Sequence, residues 1–347
     1  MEYAAERPVL AVDLGGTQIR AALITPDRGV RFRRAEPTRD EAGPDVVVRR
    51  IAELASEVRA EAAAAGLPAP VGIGISSPGP VDPHRGLVLR PPNLEGWVNV
   101  PIVEILTERL GLPTILERDT NVAVMAEWRY GAARGTRDAV YVTVSTGIGG
   151  GIISDGRPLA GRDGLAGEIG HLVVELDGPA CGCGGIGHVE AIASGTGIAR
   201  EARALLERGG APGLDRLAES ATTIDAALVA RAADEGDGDS QALLDRAWVA
   251  VGALCASLVN LLDPQVIVIG GGIAENRPRL FEAARRELSR RSLPALLGRT
   301  RIEPAALGGD VSLIGSLPIV NERMGDPAYA GSQASHAATT VQGASRP

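Results

Sequence analysis

Three glycine-rich segments each follow an apolar run, and each has the composition of a turn that can hold an anion. They are Asp13-Leu14-Gly15-Gly16-Thr17, Ser145-Thr146-Gly147-Ile148-Gly149-Gly150-Gly151 and Gly270-Gly271-Gly272. Glycine lets the backbone approach an anion closely, so that N–H groups point at phosphate oxygens. Thr17 adds a hydroxyl, and Asp13 can hold Mg²⁺ through water. A single such turn could be an ordinary hairpin turn, but three converging strand-end turns suit the phosphates and adenosine of a nucleotide.

Two other nucleotide-binding motifs are excluded by composition and spacing. No glycine trio opens a helix at G-x-G-x-x-G spacing with an acidic residue about twenty residues further on, as a dinucleotide site requires. The 35 basic residues are all arginine, whereas a Walker P-loop and a Schiff-base mechanism both need lysine.

A second cluster has the residue types of a metal site. His171, Cys181, Cys183 and His188 follow the spacing H-x9-C-x-C-x4-H in one glycine-rich loop. Imidazole and thiolate are the ligands of tetrahedral structural Zn²⁺, and four protein ligands leave no open position for catalysis. We therefore expect a structural Cys2His2 zinc site; the alternative is a loop with a free dithiol. Cys255 lies in a helical pattern and is assigned no chemistry.

The elements that must position these residues repeat along the chain. Residues 8–24 form an apolar run, a glycine turn and a second apolar run, which predicts a β-hairpin, and residues 139–154 repeat that design. Strands and helices follow the first hairpin in the order of an α/β domain with a mixed sheet. The duplication predicts two related α/β halves. Helices are expected at about 44–65, 105–110, 196–207, 222–234, 240–262, 278–290 and 312–323.

These elements predict two domains and a tail. We expect an N-terminal α/β domain over residues 1–117, completed by the helix at about 312–323. The C-terminal α/β domain covers residues 118–311 and carries the zinc loop 171–190. Residues 325–347 are small and polar, which predicts disorder.

Charge and hydropathy exclude several classes of partner. The net charge is −8 and no basic block stands out, which argues against nucleic acid. No apolar run approaches the ~20 residues of a membrane helix, and the N-terminus has no secretory signal pattern. We expect a cytoplasmic location and no membrane partner.

Seven motifs in order between residues 8 and 323 resemble a known family. They are DLGGT (13–17), SPGPVD (77–82), ERDTNVA (117–123), STGIGGG (145–151), EIGH (168–171), CGCGGIGHVE (181–190) and IGGGIAE (269–275). This set resembles the ROK family, which comprises bacterial sugar kinases and sugar-responsive repressors. The resemblance implies the actin-like ATPase (ribonuclease H-like) fold. In it, two α/β domains with mixed sheets surround a central cleft and close around ATP and sugar, in a homodimer or homotetramer.

The resemblance also implies roles for single residues. Asp119 matches the catalytic base, which accepts the proton of the attacking hydroxyl, although its sequence position alone favours a helix N-cap. Glu168, His171 and Glu190 match positions that bind sugar hydroxyls, as carboxylates can accept two hydrogen bonds each.

The remaining sugar-side candidates have weaker support. Gly79 and Asn93 lie in loops that resemble the sugar-side wall, and turn chemistry would explain both equally well. Arg118 stands where the family has a sugar-binding asparagine, and arginine donates but cannot accept hydrogen bonds. It could turn away as a surface residue or reach a phosphate, with Asn121 supplying a neighbouring amide. His188 replaces a third cysteine of the family pattern.

The expected reaction is ATP-dependent phosphorylation of glucose to glucose 6-phosphate with Mg²⁺. Residues 15–17 and 146–150 would hold the phosphates, and residues 270–272 the adenosine. Kinases of fructose, mannose, allose, N-acetylglucosamine or N-acetylmannosamine share these motifs, and polyphosphate could replace ATP. A repressor is disfavoured because its winged-helix domain would precede the first strand, and only seven residues precede Pro8. A non-catalytic sugar-sensing regulator is the remaining alternative.

Overall fold

The computed structural model describes residues 6–220 and 223–332, which divide into two compact units. Unit 1 comprises Met1–Ala126, Ala160–Leu165 and Asp310–Pro347, and unit 2 comprises Glu127–Leu159 and Ala166–Gly309. The first boundary therefore lies after Ala126, within a helix, whereas the sequence predicts a boundary after residue 117.

Unit 1 is built on a five-stranded mixed sheet. Its strands are β1 (Val9–Leu14), β2 (Gln18–Ile24), β3 (Val30–Pro37), β4 (Ile73–Ser77) and β7 (Thr114–Arg118), with a separate small hairpin of β5 (Val81–Asp82) and β6 (Leu87–Val88). The sheet order is β3-β2-β1-β4-β7. The predicted first hairpin is confirmed, because β1 and β2 are antiparallel, while β4 and β7 continue the sheet in parallel.

Helices cover this sheet and bury its apolar side chains. They are α1 (Pro44–Ala64), α2 (Ile102–Leu110), α10 (Val311–Ile314) and α11 (Ser316–Arg323). α3 (Asp119–Tyr130) follows β7 and contains the unit boundary. α1 starts with a proline at its first position and places Val47, Ile51 and Val58 in the core. The single helix predicted at about 312–323 is divided at Gly315. A Cβ at that position would lie 2.1 Å from the Val122 carbonyl oxygen.

Unit 2 repeats the sheet topology of unit 1. Its strands are β8 (Ala139–Val144), β9 (Ile148–Ser154), β10 (Arg157–Pro158), β11 (Val266–Gly270) and β12 (Arg301–Pro304). The sheet order is β10-β9-β8-β11-β12. β8 and β9 are antiparallel, and β11 and β12 add in parallel. The predicted duplication of a hairpin within a mixed sheet is therefore confirmed.

The helices of unit 2 form its larger core. They are α4 (Val189–Ala193), α5 (Gly195–Glu207), α6 (Pro212–Leu217), α7 (Ala226–Asp234), α8 (Gly238–Leu262) and α9 (Pro278–Arg291). Among the described residues, α8 is the one helix long and apolar enough to cross a membrane, although 61% of its most apolar stretch is buried. The expectation that no apolar stretch approaches this length is therefore wrong for α8. α8 buries many of its side chains, among them Trp248 and Cys255, as the core helix of a folded domain does.

The described part of the C-terminal tail packs on unit 1. The Thr114 N–H at the start of β7 donates to the Gly331 carbonyl at 2.8 Å, and the Ala330 N–H donates to the His84 carbonyl at 2.9 Å. Ser332 is only 2% exposed. The prediction of disorder is therefore wrong for residues 325–332. The rest of the predicted tail, residues 333–347, lies outside the described residues.

Candidate active site and metal centre

The first glycine turn joins β1 to β2 and is fixed by backbone contacts. The Gly15 N–H donates to the Gln18 carbonyl at 2.9 Å, and the Thr38 hydroxyl donates to the Gly15 carbonyl at 2.6 Å. A Cβ on Gly16 would lie 2.8 Å from the Asn93 carbonyl oxygen, so the close approach requires glycine. The structure thus brings Asn93, a predicted sugar-side residue, against the predicted phosphate turn.

Asp13, the predicted Mg²⁺ ligand, is paired with an arginine. Arg20 lies directly opposite Asp13 in the β1–β2 register, and its Nε and Nη2 donate to Asp13 Oδ2 at 2.9 and 2.6 Å. Arg20 also lies 3.7 Å from Asp310, which pairs with Arg33 at 2.9 Å. A water-bridged Mg²⁺ would therefore meet a carboxylate whose charge is partly neutralised. Arg20 was not predicted, although its position across the hairpin was a signal that could have found it.

The other two glycine turns meet in unit 2. β8 and β11 are parallel neighbours with Gly270 opposite Thr143, so the turns that follow them lie at one edge of the sheet. Gly271 has a φ of +94°, and a Cβ there would lie 2.4 Å from the Val144 carbonyl oxygen. The Ile273 N–H donates to that carbonyl at 3.1 Å. The predicted adenosine turn is therefore in contact with the end of β8, the strand that leads into the predicted phosphate turn.

The first turn of α5 supports the same site. The Gly195 N–H donates to the Ser145 carbonyl at 2.8 Å, and the Thr196 N–H donates to the Thr146 carbonyl at 3.2 Å. Because these helix N–H groups are already bonded, α5 holds the glycine turn in place and puts the positive end of its dipole beside it. The exposed Thr146 side chain and N–H groups of the turn other than that of Ile148, which is bonded to Glu190, remain the candidates for contact with phosphate.

Asp119 is the first residue of α3 and directly follows β7. Its Oδ1 accepts a hydrogen bond from the Thr120 N–H at 2.7 Å. The residue is half-buried, whereas all five residues of β7 are buried. A partly exposed carboxylate on a rigid strand–helix junction has the placement that a general base needs.

The residues around Asp119 form a buried polar cluster. Arg118 is 3% exposed, so the alternative that it turns away as a surface residue is wrong. It is the last residue of β7, all of which is buried. Its Nη2 donates to Asn121 Oδ1 at 3.4 Å, and Asn121 Nδ2 donates to Glu117 Oε1 at 2.9 Å. Arg323 Nη1 donates to Glu117 Oε2 at 2.5 Å.

The charge state of Glu117 follows from these contacts. Burial raises the pKa of Glu117, but the Arg323 charge and the hydrogen bonds from Asn121 and the Arg118 N–H outweigh burial and hold the pKa below its usual value. Glu117 and Arg323 were not predicted as site residues. No sequence pattern links them, because they lie 206 residues apart.

Glu190 lies against the second glycine turn. Its Oε2 accepts a hydrogen bond from the Ile148 N–H at 2.9 Å, and a Cβ on Gly147 would lie 2.7 Å from the same oxygen. Glu190 Oε1 lies 3.8 Å from the Cys181 sulfur. One predicted sugar-binding carboxylate is therefore in contact with both the phosphate turn and the metal loop.

The other sugar-side candidates lie in loops. Glu168 is exposed and precedes the short 3-10 helix Ile169–His171, and the His171 N–H donates to its carbonyl at 3.1 Å. Gly79 lies in the loop between β4 and β5 and precedes a cis peptide bond to Pro80. Within unit 2 the structure brings Glu168, His171 and Glu190 to the region of β9, α4 and the metal loop. Gly79 and Asn93 belong to unit 1.

All four predicted metal ligands converge. One donor atom from each of His171, Cys181, Cys183 and His188 lies within 4.8 Å of the other three. The Cys183 sulfur is 3.2 Å from His188 Nδ1, and the Cys181 sulfur is 3.9 Å from His171 Nδ1. The donors of a tetrahedral Zn²⁺ site lie roughly 3.3–3.8 Å apart, given Zn–N and Zn–S bonds of about 2.0–2.3 Å. The residues therefore fit a structural zinc ion.

Metal binding at this loop would be coupled to loss of thiol protons. Burial raises the pKa of the Cys181 thiol; a hydrogen bond from the Cys183 backbone opposes this effect, and the Cys183 side chain and Glu190 add to it. A zinc ion must displace that proton to bind the thiolate, so metal binding would release protons. Cys255 lies apart from the cluster in α8.

Comparison with known proteins gives matches over most of the chain. The model of the ROK family matches residues 9–323. A glucokinase of Thermotoga maritima is 36% identical over 317 residues, which cover 91% of this chain and 98% of the relative. An N-acetylmannosamine kinase of Escherichia fergusonii is 38% identical over 275 residues, which cover 79% of this chain and 86% of the relative.

A solved structure matches over a similar range. It is that of a ROK family glucokinase from Streptomyces griseus in complex with glucose and AMPPNP. It is 30% identical, with a TM-score of 0.76, and the match covers 90% of this chain and 98% of that one. The similarity includes residues of both units.

Proposed function

The chain belongs to the ROK family, and from this premise we propose that it transfers the γ-phosphoryl group of ATP to glucose, giving glucose 6-phosphate. The fold is that of the actin-like ATPases, and the chain is a sugar kinase with ATP and a sugar as substrates. Glucose as the acceptor and the roles of single residues are the proposal.

The observation that carries the proposal is the placement of Asp119. A half-buried carboxylate stands at the junction of β7 and α3, where it can accept the proton of the attacking hydroxyl, O6 of glucose. Phosphoryl transfer needs such a base in line with the γ-phosphoryl group.

The glycine turns are proposed to hold the nucleotide. Residues 15–17 of unit 1 and 146–150 of unit 2 would bind the phosphates through backbone N–H groups, and residues 270–272 would bind the adenosine. Mg²⁺ arriving with ATP would neutralise phosphate charge, and Asp13 is the residue that would hold it through water. Arg20 orients the Asp13 carboxylate through two hydrogen bonds.

Sugar recognition is proposed for Glu168, His171, Glu190, Asn93 and Gly79. A zinc ion held by His171, Cys181, Cys183 and His188 would be structural. It would fix the loop that carries His171 and precedes Glu190, and through that loop would orient both side chains.

Glucose is favoured over N-acetylmannosamine by the extent of similarity. The Thermotoga glucokinase matches over nearly its whole length, whereas the N-acetylmannosamine kinase matches over a shorter range at slightly higher identity. N-acetylmannosamine is therefore the second candidate acceptor. The buried Arg118 adds a further reason to test several sugars. The expected cytoplasmic location and homo-oligomeric state stay predictions.

The test is an ATP·Mg²⁺ kinase assay against hexoses and N-acetylhexosamines. We expect turnover with glucose, reduced about 10²- to 10⁴-fold in Asp119→Asn, which keeps the side-chain shape but cannot accept a proton. Asp155→Asn is the matched control, because Asp155 is exposed and pairs with the exposed Arg137. If only N-acetylmannosamine were phosphorylated, it and not glucose would be the acceptor. If sugars were bound but none were phosphorylated, the protein would be a non-catalytic sugar-sensing regulator.

A further inference from the structure

One carboxylate oxygen of Glu117 is bonded to groups that flank Asp119 in the sequence. The Arg118 N–H donates to Glu117 Oε1 at 2.8 Å, and Asn121 Nδ2 donates to the same oxygen at 2.9 Å. Glu117 therefore ties the residue before Asp119 to the residue two positions after it. The Asn121 amide is oriented by this bond, so its oxygen faces the Arg118 guanidinium.

Arg323 completes the cluster from the C-terminal end of the chain. It is the last residue of α11, and its Nη1 lies 2.5 Å from Glu117 Oε2. The Tyr329 ring covers its guanidinium at 4.5 Å and stacks on His84 at 4.9 Å. Since the same C-terminal segment bonds to Thr114 through Gly331, it holds β7 at both of its ends.

We propose that Glu117 and Arg323 are positioning residues for Asp119: they fix the β7–α3 junction and balance the charge beside the catalytic base. This inference rests on the proposed role of Asp119. Glu117 and the Arg323 side chain are 3% and 11% exposed, so water screens their charges weakly and their effect reaches neighbouring groups. The pair is neutral as a whole, and removal of either partner leaves an unbalanced charge at the end of β7, the strand that directly precedes Asp119.

Other charged or titratable groups lie on the elements around the cluster. Arg118 is the nearest cation on the same strand. Glu322 and Tyr329 act on Arg323 from α11 and from the C-terminal segment. On the neighbouring hairpin, Asp82 accepts a hydrogen bond from the Arg85 N–H at 2.9 Å. These groups are unchanged when Glu117 or Arg323 is mutated. They therefore do not account for a difference between a Glu117 variant and an Arg323 variant.

The experiment compares the pH midpoint of Asp119 ionisation in four variants. Glu117→Gln leaves the Arg323 cation unpaired, so the midpoint should fall by roughly 0.5–1 pH unit; Arg323→Met leaves a second carboxylate beside Asp119, so it should rise by roughly as much. The double variant should return close to wild type, and Arg323→Lys should stay close to it. Two readouts are used: the acid limb of kcat, and the ¹³C carboxyl resonance of Asp119, assigned with Asp119→Asn.

A purely structural role predicts a different pattern. Loss of packing alone would lower kcat and thermal stability in every variant without moving the midpoint in opposite directions. Shifts of the same sign, or no shift, in folded variants would overturn the proposal. Glu61→Gln, which breaks an exposed ion pair with Arg34 in unit 1, should leave the midpoint unchanged. If the wild type phosphorylates no sugar, the proposed function fails, and the carboxyl resonance still decides whether Glu117 and Arg323 act on Asp119.

Discussion

Glu190 accepts a hydrogen bond from the Ile148 N–H at 2.9 Å, so one carboxylate bridges the metal loop and the glycine turn of unit 2. Its other oxygen lies 3.8 Å from the Cys181 sulfur. A residue proposed to bind sugar is thus also a support of the proposed phosphate site. The two roles can be separated by mutation.

Glu190→Gln should weaken sugar binding while it preserves the turn. The glutamine oxygen can still accept from the Ile148 N–H, but it lacks the charge that strengthens hydrogen bonds to sugar hydroxyls. A charged hydrogen bond contributes about 1.5–3 kcal/mol, so KM for the sugar should rise about 10- to 100-fold. KM for ATP should change little. Steady-state kinetics with each substrate varied in turn measures both constants.

Glu190→Ala is the contrasting variant. It removes the acceptor of the Ile148 N–H as well, so KM for ATP should also rise and the thermal midpoint should fall. Glu207→Gln, at the exposed end of α5, is the matched control. An unchanged sugar KM in Glu190→Gln would remove Glu190 from the sugar site.

The glycine turns show how much of the site follows from local sequence. Apolar runs that flank glycine pairs predict hairpins, and the structure contains both. The metal loop was also predictable, because its four ligands lie within 18 positions of one another (171 to 188) and a loop brings such neighbours together. These features depend on interactions between residues close in sequence.

The missed features depend on residues that are distant in sequence or on short elements. Arg323 reaches Glu117 across 206 positions, and nothing near either residue indicates the other. β12 has four residues with one buried position, too short to show an alternating pattern. Arginine is usually a surface residue, so the sequence does not predict that Arg118 is buried. Its burial is seen only in the structure, where all of β7 is buried.

Gly271→Ala should disrupt nucleotide binding, whereas Gly272→Ala should be tolerated. Gly271 has a φ of +94° and no room for a Cβ beside the Val144 carbonyl, whereas a Cβ on Gly272 would have no heavy atom within 4 Å and the φ there is not positive. Strain of this kind costs about 1–3 kcal/mol. Titration calorimetry with a non-hydrolysable ATP analogue measures the affinity of each variant. Equal affinities would show that the third turn does not contact the nucleotide.

Removal of metal should expose two of the three thiols. Burial raises the pKa of Cys255 to about 12, so it carries almost no reactive thiolate at about pH 8. Cys181 and Cys183 should be protected by zinc and should react with a thiol reagent after chelation, while Cys255 should react only in denaturant. A colorimetric thiol titration in the three states, with metal analysis, measures this. Reaction of Cys181 and Cys183 at the same rate before and after chelation would argue against the metal site.

His188 gives a direct test of the fourth ligand. His188→Cys should retain one zinc per chain, because thiolate and imidazole both bind Zn²⁺, whereas His188→Ala should lose most of it. Cys255→Ser is the control, since Cys255 lies outside the cluster. A full zinc content in His188→Ala would show that His188 is not a ligand.

The Glu117–Arg323 pair should make unit 1 sensitive to acid. The pKa of Glu117 is held below its unfolded value of 4.5, so its contribution to stability is complete above that pH and is lost as the pH falls through the folded value. At pH 7, Glu117→Gln leaves Arg323 buried without its partner, which should cost about 3 kcal/mol. The difference in the free energy of unfolding between wild type and variant should shrink progressively below pH 4.5. Urea unfolding at several pH values between about 3 and 7 measures this difference.

The exposed pair of Arg137 and Asp155 is the comparison: Asp155→Asn should leave the urea midpoint close to wild type throughout, because solvent screens that pair. If the wild-type advantage over Glu117→Gln were constant or grew with falling pH, Glu117 would have to be protonated in the folded chain, and its pairing with Arg323 would not be ionic.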